Sequence, residues 1–168
     1  MFQKPLFSWS KLLLVGGVTT GVVGFDQITK ILVRTSLNTI DSMDFLGGLV
    51  HLQRAENTGA FLSLGAGWPE PLRWLIFQFG VFGSLALTAW LLWRQRGTFM
   101  SNIGFTLILG GGLGNLIDRL WKGSVTDFMV MGWGPLHTGV FNVADMAIVA
   151  GLIVIVMPEK RAFTQKKL

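Results

Sequence analysis

The chain has 168 residues, of which 51% are hydrophobic and only 14% charged, and its mean hydropathy is +0.55. Soluble domains carry roughly 25% charged residues, so this composition excludes an ordinary soluble domain and points to a membrane protein. There is no cysteine, which excludes a disulfide framework, a thiolate metal site and a cysteine nucleophile. The net charge of +5 comes from basic residues at the chain ends and in short connections. With no basic helix, it reads as membrane orientation and not as a nucleic-acid surface.

Four apolar stretches stand out, at about Lys11 to Arg34, Leu72 to Trp93, Asn102 to Trp121 and Val140 to Met157. Each approaches the ~20 residues a helix needs to cross the hydrocarbon core, the last being the shortest. The first has Lys4 and Lys11 ahead of an apolar run, as a signal peptide does, but no small-residue cleavage site follows. It is therefore expected to be a retained helix. The connection 35–71 is long; Leu49 to Arg54 alternates as a strand would, and Phe61 to Trp68 suggests a segment lying on the membrane surface. The connection 94–100 is short. The connection 122–139 contains the strand-like run Val125 to Met131. Trp68, Trp74, Trp93, Trp121 and Trp133 fall near span ends, where amphipathic rings prefer the interface.

Four spans place both chain ends on one side. That side holds Lys4, Lys11, Arg94, Arg96, Lys160, Arg161, Lys166 and Lys167 against Glu159 alone, while the other side is net negative. Positive residues mark the cytoplasmic side, so both termini are expected there.

Charges inside spans cost roughly 2.5–3.5 kcal/mol on insertion scales and are functional by default. Asp26, Lys30, Asp118, Arg119 and Asp145 all lie toward the outer ends of spans. Asp145 is on the order of 8 Å below its outer rim at 1.5 Å per residue. Asp127, in the second outer connection, can meet it there. Two carboxylates held close share one proton; the ionised one can take a proton from water while the protonated one polarises a carbonyl. The two histidines, His51 and His137, do not form HExxH, and no GxSxG occurs, so zinc and serine hydrolysis fit less well. His137 reads as a plain loop residue.

Several residues also have simpler readings. Asp26 and Lys30 are spaced i,i+4, acid first, and suit either a structural ion pair or an active site. Asn57 and Gly59 suit a turn as well as a site. Asn142, three residues before Asp145, could cap a helix or orient the carboxylate, or do both. Arg119 is favoured to reach a lipid phosphate or a substrate carbonyl, and Asp118 to be structural. Gly110 and Gly114, like Gly17 and Gly21, are expected to let helices approach closely.

Five motifs in order give these residues a common frame. DQITK at Asp26 to Lys30, NTGAF at Asn57 to Phe61, GGGLGNLIDR at Gly110 to Arg119, VTDF at Val125 to Phe128 and FNVAD at Phe141 to Asp145 resemble those of the lipoprotein (type II) signal peptidase family. Gly112 and Met146 depart from its usual residues without removing a needed chemical group. The resemblance implies one integral-membrane peptidase domain over 1–168, with four transmembrane helices (spans 11–34, 72–93, 102–121 and 140–157) and a small extracytoplasmic β-cradle in outer connections 35–71 and 122–139. It implies that Asp127 and Asp145 form the catalytic dyad of an aspartic endopeptidase. Asp26, Lys30, Asn57, Gly59, Ala60, Asn115, Arg119 and Asn142 would support the dyad and the substrate. That substrate would be a prolipoprotein carrying diacylglycerol on a cysteine, cut just before it, in the bacterial cytoplasmic (inner) membrane near its outer face. Membrane lipids would be the other partners, the enzyme a monomer, and no metal or cofactor is required.

Two rivals remain on residues alone. A small proton-coupled transporter also carries membrane carboxylates, but binds near the midplane, whereas these acids crowd one face. A non-catalytic scaffold would leave Asp127 and Asp145 without a purpose.

Overall fold

The computed structural model describes residues 9–58, 69–94 and 98–157, and within them the chain is mostly helical with one small antiparallel sheet. Helix α1 (Trp9–Ser36) leads to β1 (Ser42–Phe45), a short 3-10 turn (Leu46–Gly48) and β2 (Val50–Asn57). Then come α2 (Glu70–Arg94), α3 (Phe99–Lys122), β3 (Val125–Trp133), β4 (Leu136–His137) and α4 (Val143–Val156). The expected surface segment Phe61 to Trp68, with Gly59 and Ala60, lies outside the described residues.

The helices turn their apolar side chains outward. Phe25, Ile28, Ile31 and Leu32 of α1 are each at least half exposed, as are Leu152, Ile153 and Val156 of α4, while α1 buries Asp26 and Lys30. That inversion suits lipid as the surrounding solvent and protein as the place for charge. Helices α1 and α3 are long and apolar enough to cross a membrane. The last apolar stretch forms a shorter helix than expected: α4 has 14 residues, about 21 Å at 1.5 Å per residue. It cannot start at Val140, because Phe141 still belongs to the sheet. The Phe128 and Met129 N–H groups donate to the Phe141 carbonyl at 3.0 and 2.9 Å, and the Phe141 N–H returns a bond to Met129 at 2.8 Å.

Helix α3 is central, packing on α1, α2 and α4. Its glycines allow backbones to touch. A Cβ on Gly151 would sit 2.5 Å from the Gly104 carbonyl oxygen, and one on Gly110 would sit 2.9 Å from Val22 Cβ. The expectation for Gly110 and Gly114 therefore holds. That for Gly17 and Gly21 does not: a Cβ at either would meet nothing within 4 Å, because α3 approaches α1 on the face of Thr19 and Val22 instead.

The strands run in the order β1-β2-β3-β4. Both strand-like runs in the sequence form strands, each longer than expected; β1 and β4 are additional, and the latter carries His137 in place of a loop. The β1–β2 hairpin turns through Gly47 and Gly48, with φ of 67° and 85° that glycine adopts at no steric cost. Strand β2 pairs with β3, setting Ala55 opposite Asp127 and Asn57 opposite Val125, with an irregularity between Leu52 and Ala55. A core of Val33, Leu37 and Phe128, joined by Leu52, Met129 and Val143, seats the sheet on the end of α1 and the start of α4. That packing brings Asp127 and Asp145 to one place.

Candidate active site

Asp127 lies near the start of β3 and is 4% exposed. Its Oδ1 accepts the Asn142 amide at 2.6 Å and its Oδ2 accepts the Asn57 amide at 3.0 Å. Burial pushes its carboxyl up to about 6, and the Asp145 charge adds to this against the opposing amide bonds and Lys30. Asp145 is in the first turn of α4. Its Oδ1 accepts the Asn115 amide at 2.8 Å and its Oδ2 accepts the Asn142 backbone N–H at 3.2 Å.

Asn142 joins the two acids. It caps α4 by accepting the Asp145 N–H at 2.9 Å, and the Asp145 side chain answers in a reciprocal capping box. Its amide nitrogen reaches both Asp127 and the Asn115 oxygen, the latter at 3.0 Å. Capping and orienting are thus one arrangement.

Beneath the acids lies a fully buried charge cluster. Lys30 pairs with Asp26 at 2.7 Å and Asp118 at 3.5 Å and donates to Asn115 at 3.0 Å. Those three partners match the three donors of an ammonium. Asp26 accepts the Ala144 N–H at 2.9 Å, and Asp118 accepts the Thr126 N–H at 3.1 Å. A Cβ on Gly114 would lie 2.7 Å from Asp26 Oδ2, so only glycine leaves room for that carboxylate.

Arg119 is within electrostatic reach of Asp145, Asp127 and Asp118. Its buried Nε has no hydrogen-bond partner among the described residues.

Of the residues singled out in the sequence, Asp26, Lys30, Asn57, Asn115, Arg119, Asn142, Asp127 and Asp145 converge here. Gly59 and Ala60 lie outside the described residues. Three participants carried no motif signal of their own. Arg34 reaches Asp118 at 3.4 Å and the Thr126 hydroxyl at 3.2 Å, with Trp121 at 5.8 Å. Lys122 meets Glu56 at 3.0 Å and also bonds the Thr126 hydroxyl, which in turn lies 3.2 Å from Glu56. The spacing 26, 30, 34 would have put Arg34 on the same face of α1. Glu56 offers no such sign. Its partial burial would push its carboxyl up, but bonds from Ser124, Lys122 and Arg54 hold it below its ordinary value.

Among the described residues no group of three or more His, Cys, Asp or Glu side chains is placed to hold a metal. Two adjacent carboxylates, one raised toward neutrality, can act as an acid–base pair on a water molecule.

The family model for signal peptidase II matches residues 18–159. A lipoprotein signal peptidase of Shewanella sp. (strain MR-4) is 38% identical over 134 residues, covering 78% of this chain and 76% of the relative. One from Xylella fastidiosa (strain M12) is 38% identical over 139 residues, covering 81% of each. Two solved structures, each described as a bacterial membrane enzyme, superpose with TM-scores of 0.75 and 0.74. Both are 24% identical and cover 93% of this chain, with 90% and 96% of theirs. That likeness is one of fold.

Proposed function

The chain belongs to the signal peptidase II family, and from that premise we propose that it removes signal peptides from prolipoproteins bearing diacylglycerol on cysteine, cutting just before that cysteine with Asp127 and Asp145 as its dyad. The observation that carries this reading is the convergence of both acids on Asn142, one on a strand and one on a helix.

Burial favours the protonated form of Asp127, so Asp127 holds the shared proton and Asp145, in the first turn of α4, serves as the base. Asp145 draws a proton from water, and the resulting nucleophile attacks the scissile carbonyl. Asp127 donates a hydrogen bond to the carbonyl oxygen as it becomes an oxyanion. Collapse of the tetrahedral intermediate passes a proton to the leaving nitrogen, giving a peptide acid and a free cysteine amine. Arg119, with its unpartnered Nε, serves to bind a substrate carbonyl or a lipid phosphate.

The reading includes a single integral-membrane domain in which α1, α2, α3 and α4 all span the bilayer. Both ends lie in the cytoplasm, and the sheet lies at the outer face of the bacterial inner membrane. Acyl chains then stay in lipid while the scissile bond meets water at the interface. The acting form is a monomer, needing no cofactor.

A gel-shift cleavage assay on the purified protein tests the substrate class. A diacylglyceryl-modified prolipoprotein is expected to be cut and its unlipidated counterpart to remain intact. Equal cleavage of both would contradict the lipid requirement.

A further inference from the structure

The two acids are held by their backbones in matching ways. The residue before Asp145 is Ala144, whose N–H donates to Asp26 of α1; the residue before Asp127 is Thr126, whose N–H donates to Asp118 of α3. Both gripping carboxylates are fully buried, and one fully buried ammonium, Lys30, ties them together. Lys30 also reaches Asp145 through Asn115, which accepts from Lys30 and donates to Asp145. A structural ion pair would satisfy itself; here Asp26 turns its other oxygen to the Ala144 N–H, and the Asp118 oxygen that faces Lys30 also accepts the Thr126 N–H, while its other oxygen meets Arg34.

The geometry points to Asp26, Lys30 and Asp118 acting as an ionic yoke that sets the separation of the Asp127 and Asp145 carboxyl groups, each arm gripping the peptide N–H just ahead of one of them. This inference rests on the dyad assignment and gives a role to a triad that is fully buried. All three are positioning residues.

The yoke's output is the strength of coupling between the two carboxyl groups. Held close, they lose their protons in two well-separated steps belonging to the pair. Let apart, they repel less, and the two steps converge. The pH dependence of kcat/KM reports those steps as the limbs of a bell. The charged groups facing the pair are Lys30 from α1, with Asp118 and Arg119 from α3. Loss of one fixed charge moves both limbs the same way, whereas loss of spacing moves them toward each other. Glu56 of β2, together with Arg34 and Lys122, holds the Thr126 hydroxyl. These groups remain in the variants proposed below.

The test is the pH–kcat/KM profile of purified Asp118→Asn, with Asp26→Asn/Lys30→Met as a second arm that removes opposite charges together and leaves no buried ion unpaired. Misplacement on the order of 1 Å can cost about 10²-fold in rate. In either variant kcat is therefore expected to fall at least about tenfold, with KM within about twofold and the bell narrowed from both sides. A bell of unchanged width, or one displaced as a whole, would overturn the yoke, since the residues would then act through stability or charge alone. If neither variant folds, the network is a folding device and the yoke is overturned as well. Asp127→Asn and Asp145→Asn, run alongside, separate this from failure of the dyad. Activity in those two sinks the dyad, whereas their inactivity with an unaltered bell in the yoke variants sinks only the yoke.

Discussion

Asp127 shows how one carboxyl can be made to hold a proton where most have lost it. Its pKa near 6 comes from burial first and the facing Asp145 second. The alkaline limb of kcat/KM, where the shared proton is lost, should therefore fall near pH 6 and not near 4. In the kcat profile it should lie higher, because a lipid-bearing substrate dries the site further. The same shift bears on stability. A carboxyl whose folded pKa is raised favours the fold below its unfolded value, and that contribution is lost as pH rises through about 6. Asp127→Asn, an isosteric neutral, should thus keep or raise the thermal midpoint above pH 6; a clear fall there would contradict the account of a strained, buried charge. Asp145 was legible in the sequence because charge in an apolar span is too costly to be idle, and Asp127, outside any span, through its VTDF motif. Glu56 and Arg34 were not, because what assigns them is contact with Thr126, 70 and 92 residues away along the chain.

At the scale of elements, apolar runs of near-spanning length made the helices readable, and alternation made β2 and β3 readable. Strand β1 was missed because all four of its residues are exposed, so no buried face marks its period. The start of α4 was misplaced because the Phe141 bridge to Met129 is a long-range bond that local pattern does not encode. Glycines gave a mixed result, and the reason is testable. Spacing alone does not say which face of a helix is approached: Gly151 abuts the Gly104 carbonyl, whereas Gly21 meets nothing within 4 Å. Gly151→Ala should destabilise the detergent-solubilised protein by about 1–3 kcal/mol, as overpacking does. Gly21→Ala should be neutral or stabilising by about 0.5–1 kcal/mol through helix propensity. Equal thermal midpoints for the two would show that α3 and α4 do not pack backbone to backbone.

For the whole molecule, the proposed reading makes the fold a joint between two solvents. The sheet sits on the ends of α1 and α4, and the charge cluster lies where they meet, wholly inside protein. Charge bias in the sequence is what supports the proposed orientation. Because the chain has no cysteine, single cysteines can report it. A membrane-impermeant maleimide added to intact inner-membrane preparations of known sidedness should label position 44 or 134 from the outer face and position 164 only from the inner. Labelling of 164 from outside would overturn the four-span arrangement.

The central claim is that Asp127 and Asp145 act as one catalytic pair. Its most direct test is cleavage of a diacylglyceryl-modified prolipoprotein by the purified protein, Asp127→Asn and Asp145→Asn, each shown by thermal unfolding to be folded. The account predicts cleavage by the unmutated protein and loss of more than about 10³-fold in either variant, since members of a catalytic unit fail together. Retention of substantial activity by a folded variant would contradict it.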